Sequence, residues 1–134
     1  MIWLLDTNVV SAVRRPGRAP QVEAWLAAQA EADLHVSVIT LGEIERGIRQ
    51  AERRDTTFAA DLRSWLDTLT RLFADRVRPF EQADAVVWGR LSADLGRTDT
   101  DVMLAAQAIA QGATVATRNV QHFAPTGAAV FDPF

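Results

Sequence analysis

The chain has 134 residues, 49% of them hydrophobic, enough for one compact domain with its own core and too few for a two-domain enzyme. It has no Cys, which excludes disulfides, zinc–thiolate sites and cysteine nucleophiles and fits a reducing, cytoplasmic setting. Net charge is −3 and all 14 basic residues are Arg, so a broadly basic nucleic-acid binder, a lysine Schiff base and a Walker-type phosphate loop are set aside, while bidentate phosphate contacts are not.

Met1 leads straight into a strand-length apolar run with no basic leader, and no stretch approaches the roughly 18 apolar residues of a membrane span, so neither export nor insertion is expected. Residues 2 to 5 (IWLL) form the first expected strand, which delivers Asp6 to its carboxyl end. Residues 14 to 20 (RRPGRAP) are the clearest loop, combining Pro, Gly and Arg. A helix over 20 to 32 follows, then a strand over 34 to 39 (LHVSVI) and a helix over 40 to 53. The next helix, 56 to 74, carries Trp65, Leu66, Leu69, Leu72 and Phe73 on one stripe and is expected to form an antiparallel hairpin with its predecessor, burying that face. A strand over 77 to 80, helices over 81 to 96 and 101 to 111, a left-handed cap at Gly112, and strands over 114 to 117 and 129 to 131 complete the chain. Strands alternating with helices imply right-handed crossovers and an α/β fold with a mostly parallel sheet.

Three acids stand at the junctions of these elements. Asp6 ends a strand, Glu43 begins a helix after a strand, and Asp101 begins a helix that leads into a strand. Each has a plain local role open to it: Asp6 and Asp101 as helix caps, and Glu43 as half of a capping box with Thr40. Parallel topology, however, gathers such junctions at one edge of the sheet, where open α/β folds place their ligands. Carboxylates about 5 Å apart repel by roughly 3 kcal/mol per pair at an effective dielectric of about 20, so such a cluster calls for a cation or for protonation. Oxygen ligands without Cys select hard ions, Mg²⁺ or Mn²⁺, which activate water and neutralise charge at a phosphodiester.

The segments LDTNVVS, TLGEIERG, DVMLAAQA, ATRNVQHF and FDPF, in this order, resemble a PIN-domain protein of the VapC-like toxin family, over residues 2 to 134. The resemblance implies a PIN domain spanning 1 to 134, a three-layer α/β/α sandwich, and a metal-dependent ribonuclease that is usually dimeric and held inactive by a cognate antitoxin. It assigns Asp6, Glu43 and Asp101 to the acidic metal site. It gives Asn8, Thr117 and Asn119 supporting roles, for which turn stabilisation and strand-end capping are the local alternatives. Arg118 is expected to point away, and Asp99 to be a solvated loop acid. His122 departs from the family, which often has an acid there. Phosphate contact, a neutral nitrogen ligand and a place on the pocket rim are all open to it, the rim being the expected one. One Mg²⁺ is then expected to bind firmly and a second, if used, to arrive with RNA.

Arg14, Arg15 and Arg18 follow Asp6, and Arg46 and Arg49 follow Glu43. With His122 they are the candidate RNA contacts, and any one of them taken singly is equally a solvated surface charge. The small, DNA-binding antitoxin implied by the resemblance is expected in an apolar groove on helices 20 to 32 and 40 to 74, anchored by Trp25, Trp65 and Leu66. Competing readings are a phosphatase of the haloacid-dehalogenase type, a FitB-like PIN subunit of a DNA-binding regulatory complex, and a housekeeping RNA-processing nuclease. The phosphatase fails because Asn8 stands where a second Asp would act and no Lys exists to assist.

Overall fold

The computed structural model describes all 134 residues. Five strands, β1 (Trp3–Leu5), β2 (Leu34–Ser37), β3 (Val77–Arg78), β4 (Thr114–Ala116) and β5 (Val130–Phe131), lie in the order β3-β2-β1-β4-β5. Every pairing is parallel, with Leu4 opposite His35 on one side and Val115 on the other. Seven helices connect them: α1 (Thr7–Ala12), α2 (Pro20–Ala28), α3 (Val38–Glu52), α4 (Thr56–Leu72), α5 (Gln82–Leu95), α6 (Thr100–Gln111) and α7 (Val120–Phe123).

The chain runs outward from β1 to β3, returns to β4 beside β1, and continues to β5. Right-handed crossovers made in opposite directions place helices on opposite faces, which produces the three layers. Alternation along the strands sorts the core accordingly. Leu5, Val36 and Ala116 pack with Val9, Val10, Val22, Ile44, Ile48, Leu66 and Leu69 of α1 to α4. Leu4 and Val115 face the other way, against Leu104, Ala105, Ala108 and Phe123 of α6 and α7. The reversal of strand order falls between β1 and β4, so the crevice at their carboxyl ends is where such sheets hold ligands.

Several boundaries differ from those expected, each for a local reason. The second strand stops at Ser37 rather than 39, because the Ser37 hydroxyl accepts from the Ile39 amide at 3.0 Å and starts α3. Thr40 is therefore inside the helix, its hydroxyl aimed at the Leu5 carbonyl at 3.5 Å, and the capping box proposed for Thr40 and Glu43 does not form. The box that does form joins Glu81 and Asp84 at the start of α5. Helix α2 ends at Ala28 instead of 32, as Gln29 turns extended and its side chain donates back to the Trp25 carbonyl at 3.1 Å. Two short helices, α1 and α7, lie in segments where three-residue periodicity had too little length to register.

The hairpin of α3 and α4 is present, and Leu66 and Leu69 are buried while Trp65 and Phe73 are half-buried. Leu72, at the last turn of α4, is 63% exposed and leaves the expected stripe. Of the three expected antitoxin anchors, one is buried in the core and two are half-buried. Leu66 is core, Trp65 packs against that core, and Trp25 is engaged edge-on with Trp3 and stacked with Phe131 at 5.4 Å. Gly112 caps α6 in the left-handed region, φ 67°, as expected. No helix is long and apolar enough to cross a membrane.

Because Leu4 and Leu5 anchor separate cores, Leu4→Ala and Leu5→Ala are each expected to cost about 2–5 kcal/mol, with the two effects close to additive in the double variant. Urea denaturation followed by tryptophan fluorescence checks this. An interaction energy as large as either single effect would show the two layers to be one packing unit.

Candidate metal centre at the sheet edge

Asp6 is the first residue past β1, and its own amide still joins the sheet by donating to the Ala116 carbonyl at 3.0 Å. This bond fixes the backbone from which the carboxylate projects. The side chain does cap α1, accepting from the Thr7 amide at 2.8 Å on Oδ1. Its other oxygen accepts from the Thr117 hydroxyl at 2.7 Å and from Asn8 Nδ2 at 3.2 Å. Thr117, just past β4 and fully buried, uses its whole hydroxyl: it donates to Asp6 and accepts from Asn8 Nδ2 and from the Asn119 amide. Asn8 closes the ring by accepting from the Arg118 amide at 3.1 Å. Asn119 thus contributes its backbone amide to this network.

Glu43 lies in the second turn of α3 and is held from two elements. Oε1 accepts from the Thr7 hydroxyl at 3.2 Å and Oε2 from the Thr100 hydroxyl at 3.1 Å. Asp101 lies two residues past the cap of α6. The cap is Asp99, whose Oδ1 accepts from the Val102 amide at 3.4 Å and which also pairs with Arg97 at 2.9 Å. Asp99 is exposed, as expected of a loop acid, but it also caps α6 and pairs with Arg97, and Asp101 is released from capping. Its Oδ2 instead meets Nδ1 of His122, so His122 touches an acid of the cluster rather than only covering its rim.

The electrostatics follow from this crowding. Burial pushes the Asp6 carboxyl above its ordinary value, Thr117 opposes this, and the nearby charge of Asp101 adds to it. Glu43 is raised in the same way, first by burial and then by the charges of Asp6 and Asp101, against the bonds from Thr100 and Thr7. The charge of Asp101 thus reaches both Asp6 and Glu43, and that of Asp6 reaches Glu43. The donors to Asp6 and Glu43 are hydroxyl and amide groups, with no Arg among them. Such an all-oxygen set, short of positive charge, fits a hard divalent ion.

The basic residues divide. Arg18 and Arg118 line a cavity of about 470 Å³ with Asn8 and Phe134, and Arg46 lines one of about 340 Å³ with Glu43 and Thr100. Arg15 is exposed on the loop, Arg14 lies over the Phe58 ring at 5.6 Å, and Arg49 pairs with Glu52 at 2.8 Å. Arg14 and Arg49 are therefore engaged elsewhere. Arg118, expected to point away, stacks on Phe134 at 4.0 Å and lines a cavity of about 730 Å³ beside Asn119 and His122. Sequence reasoning missed Arg97, whose contacts with His122 span 25 residues and have no local signature.

An open parallel α/β sandwich with three acids at the switch point of its sheet defines a class of metal-site fold. A profile described as PIN domain matches residues 3–126. Ribonuclease VapC14 of Mycobacterium tuberculosis is 52% identical over 67 residues, half of this chain (50%) and 65% of that protein, so the match spans just under two thirds of it. Toxin FitB of Neisseria gonorrhoeae is 31% identical over 140 aligned positions, covering 98% of this chain and 97% of that protein. The crystal structure of FitAcB from Neisseria gonorrhoeae superimposes with a TM-score of 0.83 at 32% identity, covering 98% of each chain. The chain belongs to the PIN-domain family, within its VapC and FitB toxin branch.

Glu43→Gln tests the repulsion directly. A carboxyl raised in the folded state costs stability above its unfolded value and none below it. In chelator at neutral pH the variant is expected to melt above wild type, and the difference to vanish as pH falls below the ordinary glutamate value of 4.5. Addition of Mn²⁺ should narrow or reverse the difference by stabilising wild type more than the variant. Equal melting temperatures in chelator at neutral pH would show that Glu43 carries no such strain.

Proposed function

We propose that this protein is a divalent-metal-dependent endoribonuclease, the toxin of a toxin–antitoxin pair, using Mg²⁺ with Mn²⁺ as a substitute. The observation that carries this reading is the convergence of Asp6, Glu43 and Asp101 from three separate elements, with two of the carboxyls raised by burial and mutual charge. Asp6 and Asp101 would hold the ion, with Glu43 completing the acidic set. A bound ion supplies Lewis-acid polarisation of the phosphodiester and makes water a better nucleophile at neutral pH.

The chain's own residues do the positioning. Thr117 and Asn8 fix the rotamer of Asp6, while Thr7 and Thr100 each hold one oxygen of Glu43 and so set its orientation. Arg18, Arg46 and Arg118 flank the crevice and would take the phosphates on either side of the scissile bond, with Arg15 reaching from the loop. A cluster that repels itself binds a phosphodiester poorly until its charge is offset, so the arginines and the ion act together.

By its membership of the VapC and FitB branch, the protein would act in the cytoplasm as a homodimer and be neutralised by a small DNA-binding antitoxin. A second reading, a PIN subunit that works with a DNA-binding partner as a regulator, is supported by the likeness to FitAcB, TM-score 0.83, and to FitAB bound to a DNA fragment, TM-score 0.80. The two differ in whether the free chain cuts RNA.

Wild type, Asp6→Ala and Asp101→Ala are to be expressed without a partner, scoring growth arrest and sequencing RNA ends. Wild type is expected to arrest growth and to cleave purified RNA only with Mg²⁺ or Mn²⁺, more slowly as salt rises. Each variant should lose about a hundredfold or more of the cleavage, the scale of removing one preorganised electrostatic contact. Toxicity surviving both substitutions sinks the metal-nuclease mechanism, and an inert wild type that still binds DNA with a partner supports the regulatory reading.

A further inference from the structure

Asp99, Asp101 and His122 each bring a ligand atom within 4.8 Å of the others, the spacing of a second cation site. A cation is already there. The Arg97 guanidinium grips both Asp99 oxygens, at 2.9 and 3.1 Å, and reaches His122 twice, donating to its backbone carbonyl at 2.9 Å and meeting its ring Nε2 at 3.1 Å. Four of the five guanidinium hydrogens are so used, and the side chain is only 23% exposed.

The contact with Nε2 decides more than position. A guanidinium has hydrogens to give and no acceptor, so Nε2 must be the accepting nitrogen and cannot carry hydrogen. The ring's one hydrogen is then on Nδ1, which faces Asp101 Oδ2. We propose that Arg97 and His122 form a tautomer-locked relay that positions Asp101: Arg97 holds the imidazole as its Nδ1–H form, and that hydrogen is donated to one oxygen of Asp101, leaving the other for the divalent ion. His122 is thus a positioning residue and Arg97 sets its direction. The arrangement is that of the outer-shell donors that orient metal-binding carboxylates and fix imidazole tautomers. It also gives a reason for one firm ion rather than two, because the guanidinium charge stands where the second would be.

What Asp101 is held for rests on the nuclease reading, but the tautomer does not, and the two are tested apart. The chain has two His residues, so nitrogen NMR of the metal-free protein at about pH 8 resolves both rings, with His35 as internal reference. His122 is expected as Nδ1–H, against the Nε2–H form usual for an imidazole in water. Arg97→Met should return it to Nε2–H and weaken Mn²⁺ binding, measured by calorimetry, by about tenfold. His122→Ala should lose a similar factor. His122→Asn, whose amide nitrogen stands in the place of Nδ1, should restore most of it.

Since His122 is exposed, these variants are expected to keep the wild-type circular dichroism spectrum. An Nε2–H or doubly protonated ring in wild type overturns the relay, as does wild-type Mn²⁺ affinity in His122→Ala. An Nδ1–H ring with the expected affinity losses, in a protein that cuts no RNA, supports the relay and removes only the nuclease reading.

Discussion

Asp6 is an acid taken almost wholly out of water, 3% exposed, at the end of the central strand. Burial of a carboxylate is tolerated only where hydrogen bonds replace its solvent. The chain supplies three, from the amide of the next residue, the side chain after that, and a hydroxyl 111 positions away. The last of these is the most demanding. It requires β4 to run parallel to β1 in a register that pairs Leu5 with Ala116, so that Asp6 and Thr117 emerge side by side. One slip of that register would exchange the two core faces and part the two residues together. The packing that makes the sheet and the bond that makes the site are therefore set by a single alignment.

Much of the architecture was legible because the apolar runs are short, separated and strand-like, and because helices alternate with them. Asp6 was legible for the same reason, since a carboxylate that ends a buried strand has few places to go. Glu43 was harder. Thr40 and Glu43 have the spacing of a capping box, and only the Ser37 hydroxyl, taking the cap earlier, turns Glu43 toward Thr7 and Thr100. The Asp99 and Asp101 pair shows the same limit: two acids two residues apart at a helix start offer equal candidates for the cap, and the choice is made by Arg97, which draws Asp99 to itself. Arg97 was invisible because its reach to His122 is set by how α6 and α7 pack, not by neighbours in the chain.

The all-Arg composition takes on structural meaning in this light. Arg76 bridges the Glu31 and Leu34 carbonyls, the Leu72 carbonyl and the Glu31 carboxylate, tying β2 to the end of α4. Arg78 reaches Gln111, which in turn donates to the buried Asp84. Arg97 fans across α6 and α7. For Arg76 and Arg97 a planar group with several fixed donors joins elements that a single ammonium could not. The net charge therefore understates the local cationic character of the crevice, since several arginines serve the fold while Arg18, Arg46 and Arg118 border the site.

The sheet has one further property, seen in its margins. Both edge strands are two residues long, Val77–Arg78 at one side and Val130–Phe131 at the other, and Pro79 follows the first directly. An edge of two residues offers almost no run of free amides and carbonyls on which a foreign strand can grow, and Pro removes the next donor. A chain without a bound partner has only these margins to offer a foreign strand. With margins this short, separation from a partner leaves no template for strand addition, so the free molecule is guarded against amyloid-like association by topology rather than by surface charge.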